Sequence, residues 1–138
     1  MNTERIRVVI ADAGYEMLAR QLESYNGERF DVVSCTADGN EVYDLVIESR
    51  PDVLLMDVFI TNVDGLEVLE QLRENEELEN LRIVFLSTVG SSRIINMAFN
   101  LGADYYVMKP CNPKVLAKRI IQIAELSKVG EPERADDT

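Results

Sequence analysis

Four residues in this chain are of the types that carry out group transfer: Asp12, Asp57, Ser87 and Lys109. Each closes a short apolar run, at 6–11, 53–56, 81–86 and 105–108. Runs of that length, rich in β-branched residues, have the character of buried strands. A single acid after a strand is usually a turn or cap residue. Two carboxylates, a hydroxyl and an ammonium at one sheet edge are another matter, because the set suits phosphoryl chemistry. A carboxylate can act as nucleophile, while a lysine and a divalent cation offset charge on the transferring oxygens and a hydroxyl holds one of them. Magnesium needs only one or two protein carboxylates beside the phosphate.

That edge exists only if the intervening elements place the strands in parallel. After the first run the period changes: Met17, Leu18, Gln21, Leu22 and Tyr25 recur at helical spacing up to Asn26 and Gly27, a helix stop. The alternation repeats with a strand at 30–35, a helix at 40–49, a break at Pro51 and Asp52, and the third strand. A loop through Thr61, Asn62, Asp64 and Gly65 leads into a helix at 66–75, and Ser91 and Ser92 offer caps for the next helix, which ends at Leu101 and Gly102. Lys109 and Pro110 precede a last helix at 113–127. Strand–helix units in strict alternation imply a parallel sheet covered on both faces. The expected fold is therefore α/β, a flavodoxin-like, doubly wound (βα)5 sheet of order 2-1-3-4-5. In such sheets ligands bind beyond the strand ends where the order reverses, here between the strands ending at Asp12 and Asp57.

Composition bounds the function. The 138 residues suit one domain, expected at 1–127, followed from residue 128 by an acidic linker or disordered tail containing Gly130 and Pro132. With 46% hydrophobic and 28% charged residues, the chain has no apolar run near the roughly 18 residues a membrane span requires. Its first residues lack the apolar core of a signal peptide, so a cytoplasmic location is expected. The absence of histidine removes Ser-His and Cys-His catalysis, the usual zinc sites and any role as a phosphohistidine donor. Cys35 and Cys111 have no paired spacing and are expected as structural filler. A net charge of −11 disfavours direct nucleic acid binding and permits a basic partner, although scattered acids also serve solubility.

In combination, Val8-Val9-Ile10-Ala11-Asp12, Asp52-Val53-Leu54-Leu55-Met56-Asp57, Asp64-Gly65, Leu86-Ser87, Gly102-Ala103-Asp104-Tyr105-Tyr106 and Lys109-Pro110 resemble the receiver domains of two-component response regulators. The similarity spans about residues 5 to 127, and Asp64-Gly65-Leu66 and Leu101-Gly102-Ala103 are most similar to receivers of the sporulation master regulator. The resemblance implies a signalling module and not an enzyme. Asp57 would accept a phosphoryl group from a histidine kinase or phosphotransfer protein, and magnesium would be held by Asp12, Asp57 and the Phe59 backbone carbonyl. Lys109 would pair with the phosphoryl oxygens. Ser87 and Tyr106 would switch the face formed by the fourth helix, fifth strand and fifth helix, a potential homodimer surface. In the sporulation family a further domain, not contained in this sequence, binds DNA and controls transcription.

Three positions depart from the family pattern. Ala13 follows Asp12 where a second acid is usual, Ile60-Thr61 replaces the usual Met-Pro, and Thr88 adds bulk after Ser87. By the resemblance, the absent acid is the one expected to touch the metal directly, so magnesium should bind more weakly. Two signalling readings stay open: a phosphorylation switch at Asp57, and a pseudo-receiver acting as a phosphorylation-independent interaction module. A third class, an FMN-binding electron carrier, shares the topology but requires a Ser/Thr-rich phosphate loop where Asp12-Ala13-Gly14-Tyr15 stands.

Overall fold

The structure, a computed structural model, describes residues 5–25 and 27–128. The apolar runs form β1 (Ile6–Ala11), β2 (Phe30–Thr36), β3 (Val53–Asp57), β4 (Arg82–Ser87) and β5 (Tyr105–Met108). They make one sheet of order β2-β1-β3-β4-β5, with every neighbouring pair parallel. Between and after the strands lie α1 (Tyr15–Glu23), α2 (Gly39–Ser49), α3 (Gly65–Arg73), α4 (Ser92–Leu101) and α5 (Pro113–Lys128). The flavodoxin-like arrangement is the one expected from the sequence.

Strand side chains alternate between the two faces, and each face has its own core. Ile6, Val8, Ile10, Leu55, Val84 and Leu86 pack with Leu22 of α1 and with Leu116, Ala117 and Ile120 of α5. Val9, Ala11, Leu54, Met56, Ile83 and Phe85 point the other way, against Val42 and Val46 of α2, Leu69 and Leu72 of α3 and Ala98 of α4. Strands buried on both faces explain why β1 and β3 read as continuous apolar runs and not as alternating ones. Burial of this apolar area is the main term stabilising the fold.

Local chemistry sets the element ends. Asp38, Asp64 and Ser91 are N-caps whose side chains accept the Asn40, Leu66 and Ile94 amides. Gly102 closes α4 at φ 114°, a left-handed conformation that glycine adopts without steric cost. The first helix stops at Glu23, short of the expected Asn26 and Gly27; Gly27 is left-handed, and Asn26 lies outside the described residues. The third helix ends at Arg73, and a 3-10 turn at Glu76–Leu78 separates it from β4. That turn takes the Leu81 amide onto the Leu78 carbonyl, so β4 begins at Arg82. The expected tail lies outside the described residues from 129 onward, while α5 itself runs to Lys128. No helix among the described residues is long and apolar enough to cross a membrane.

Candidate functional site

The chain turns to opposite sides of β1 on leaving it for β2 and on returning to β3, so the carboxyl ends of β1 and β3 open a crevice. Asp12 lies just past β1, where its amide continues the ladder by donating to the Thr36 carbonyl at 3.0 Å. Its Oδ1 accepts the Gly14 amide at 2.7 Å, which folds the loop back over the carboxylate and fixes its direction. Asp57 is the last residue of β3, and its Oδ1 accepts the Phe59 amide at 2.9 Å. Each acid has one oxygen spent on its own loop.

The other oxygen of each acid faces Lys109. The Lys109 amide donates to the Ser87 carbonyl at 2.8 Å, which extends the β4–β5 ladder and carries the side chain back toward β1 and β3. Its Nζ lies 2.8 Å from Asp12 Oδ2 and 2.9 Å from Asp57 Oδ2. Burial alone pulls the ammonium down, but the two carboxylates outweigh it and hold its pKa above the ordinary lysine value. Asp12 is 2% exposed, and its Oδ2 accepts no well-directed hydrogen bond, so the ammonium holds it by charge alone.

Ser87 and Tyr106 are at the same edge but do not touch the acids. Ser87 is fully buried, and its Oγ accepts the Val89 amide at 3.0 Å. The Tyr106 hydroxyl donates to the Val89 carbonyl at 2.5 Å, and its ring packs at a tilt against Phe85 with centroids 6.1 Å apart. Both therefore secure the β4–α4 loop. Phe59 is 56% exposed, so its ring belongs to the rim of the crevice and not to the core. Ala13 and Thr88 are also exposed; the threonine that the sequence placed beside the phosphoryl pocket is open to solvent. Cys35 and Cys111 are free, half-buried and packed on the α1–α5 core, and burial raises both thiol pKa values, as filler requires.

Two glycines have site roles that the sequence alone did not reveal. A Cβ at Gly65 would fall 2.7 Å from the Asp57 carbonyl, so only glycine lets the start of α3 pass this close behind the acid. A Cβ at Gly39 would fall 2.5 Å from the Val63 carbonyl in the loop after Asp57. The available signal was the Asp-Gly dipeptide at 38–39 and 64–65, each shortly after a strand.

All the free donors of the crevice are oxygens, which suits a hard divalent ion such as magnesium. The under-bonded, buried Asp12 Oδ2 is an acceptor with capacity for such an ion. The residues fit the ion in kind and are few in number: among the described residues no group of three or more acids, histidines or cysteines is placed to hold a metal.

A doubly wound sheet with two acids and a lysine at its switch point has the architecture of a signal-receiver module, and comparison with known proteins places it further. The response regulator receiver domain profile matches residues 8–121, and the chain belongs to that family, a component of two-component signalling. The signal receiver domain of the response regulator NarL from Mycobacterium tuberculosis is similar in structure, with a TM-score of 0.81, 26% identity, and coverage of 88% of this chain and 98% of that one. A CheY-like receiver from Methanospirillum hungatei shares the fold at TM-score 0.79 and 22% identity, covering 91% and 98%. CheY in a CheX–CheY–BeF3–magnesium complex from Borrelia burgdorferi does so at TM-score 0.74 and 20% identity, covering 86% and 88%. Receiver domains generally bind magnesium and interact with histidine kinases or phosphotransfer proteins.

Proposed function

We propose that Asp57 is the phosphoryl acceptor of a switch driven by a histidine kinase or phosphotransfer protein. The observation that carries this reading is the Lys109 ammonium, 2.8 and 2.9 Å from one oxygen of each acid. An Asp57 carboxylate oxygen attacks the phosphorus of the partner's phosphohistidine; a P–O bond forms, the P–N bond breaks, and the imidazole nitrogen leaves with the electron pair. Asp12, Asp57 and the Phe59 carbonyl would hold magnesium, which when bound would offset charge on the phosphoryl oxygens. Lys109 stays in charge contact with Asp12 and turns toward the phosphoryl group the donor it now gives to Asp57 Oδ2. Ser87 turns its side chain away from the Val89 amide, whose bond it accepts, and donates its hydroxyl to a phosphoryl oxygen. That exchange frees the β4–α4 loop, which Tyr106 also holds, and passes the signal to the face of α4, β5 and α5. Phe99 and Met97 of α4 are exposed, and this face is the one through which two copies would pair.

One observation favours a second reading. Both acids already share an internal ammonium as counter-charge, and Ala13 offers no ligand, so the crevice has a charge partner without metal. In that reading the domain is a pseudo-receiver that works through its surface alone. The two are separated by incubating the protein with magnesium and acetyl phosphate and recording its intact mass beside Asp57→Asn. A single phosphoryl adduct lost in the variant establishes the switch. No adduct, with a known receiver modified in parallel, establishes the pseudo-receiver.

A further inference from the structure

The loop between Asp57 and α3 contains Phe59, whose carbonyl is the proposed third magnesium ligand, and something must hold that loop still. Its α3 end is fixed where Gly65 passes behind Asp57 and its amide donates to the Val58 carbonyl at 2.8 Å. Its middle is fixed from another element altogether. The Gly39 amide, at the start of α2, donates to the Thr61 carbonyl at 2.8 Å, and Asp38 forms an isolated parallel bridge with Thr61. Asn62 Nδ2 donates to Asp38 Oδ1 at 2.9 Å, and that same oxygen caps α2 by accepting the Asn40 amide at 2.9 Å. Asn62 is left-handed at φ 73°, a conformation asparagine tolerates better than most residues and that a local hydrogen bond helps to retain. Ile60, only 8% exposed, lies against the face of Gly39, where a Cβ would come within 3.1 Å of its Cγ2.

We infer that Asp38 and Asn62 form a clamp from the β2–α2 corner that positions the Phe59 backbone for a divalent cation, making both residues positioning residues of the metal site. Neither side chain reaches the crevice acids; they act through the loop. With only two carboxylates present, a larger share of cation binding falls on the third oxygen, so its placement matters more here than in a site richer in acids. The inference rests on the magnesium reading of the crevice given above.

The test uses Asn62→Gly, which removes the side-chain bond while relieving the left-handed strain, and Asp38→Ser, whose shorter hydroxyl still caps α2 but does not span to Asn62. Val46→Ala, buried in the C-terminal half of α2 seven residues beyond Gly39, is the control for general destabilisation. Magnesium affinity is measured by calorimetric titration, and hydrogen exchange of the 58–63 segment is followed without metal. Both clamp variants should weaken magnesium by about threefold to tenfold, the worth of one ordinary hydrogen bond, and speed exchange in 58–63 by a similar factor. Val46→Ala should lower the melting temperature and leave both readouts unchanged. Affinity within twofold of the parent in both clamp variants overturns the clamp, and so does an equal loss in Val46→Ala. A parent protein that takes up no magnesium overturns the metal reading itself, and the clamp's role falls with it.

Discussion

Replacing Lys109 with methionine keeps most of the apolar stem, one atom shorter, and deletes its charge. In the parent the ammonium is the shared partner of Asp12 Oδ2 and Asp57 Oδ2, at 2.8 and 2.9 Å. Without it, the Asp12 side chain remains 3% exposed with an oxygen that accepts no hydrogen bond and has lost its counter-charge. Removing one partner from a fully buried ion pair costs about 3–5 kcal/mol, and from an exposed pair less than about 1 kcal/mol. With Asp57 at 18% and Lys109 at 27% side-chain exposure, the site lies between these limits. A loss of about 2 kcal/mol is expected, or roughly 5–10 °C in melting temperature. The pH dependence supplies a second check. The folded-state pKa of Lys109 is raised, so its contribution is fully present below the unfolded lysine value of about 10.4 and is lost as pH rises through the folded value. The stability difference between parent and variant, measured by urea denaturation, should therefore be constant from neutral pH to about pH 9.5 and close above about pH 10.4. Magnesium should restore more stability to the variant than to the parent, because it meets carboxylates with no competing ammonium. A variant as stable as the parent at pH 7, or a difference that persists undiminished into strong alkali, would refute the assignment of Lys109 as the common counter-charge.

Ala13→Asp should tighten magnesium binding by about tenfold or more, since it returns a carboxylate to the crevice mouth, and calorimetric titration reads this directly; unchanged or weaker binding would count against the metal site. Asp104→Ala should lower stability by about 2–3 kcal/mol in chemical denaturation, because it strips the Arg73 and Arg82 guanidiniums, 3.1 and 3.2 Å away and themselves largely buried, of their carboxylate. Magnesium affinity should be unaffected in that variant, as Asp104 lies beside Ile83 at the opposite end of β4 from Ser87.

The parts of the site legible in the sequence are those that a strand end fixes. Asp12, Asp57 and Lys109 follow runs whose burial is dictated by composition, and the alternation of periods forces those runs into one parallel sheet, so their meeting at one edge follows from topology. Side-chain direction is not legible this way. Ser87 ends β4 as expected, yet its hydroxyl turns to the Val89 amide two residues on, a choice made by loop geometry. Lys109 reaches an acid 52 residues away in the chain, and nothing in the spacing says that it would bridge both acids instead of one. The 3-10 turn at Glu76–Leu78 is not legible because three residues are too few to show a period. The same holds for Gly39, whose role rests on a carbonyl in a distant loop.

Charge ties these observations together. Two carboxylates and one ammonium leave the crevice a single net negative charge, with the acids drawn toward the lysine and not apart by mutual repulsion. A further acid at position 13 would attract a divalent cation more strongly and would also raise the repulsion met by an incoming phosphoryl group whenever the cation is absent. On the proposed reading the present arrangement would do the reverse, with a looser hold on metal and a lower barrier to an anion approaching the bare site. The ratio of adduct formed with and without magnesium should then be smaller for this chain than for its Ala13→Asp variant. A magnesium requirement equally steep in both would mean that Lys109 and the cation act independently, contrary to their sharing of Asp12 and Asp57.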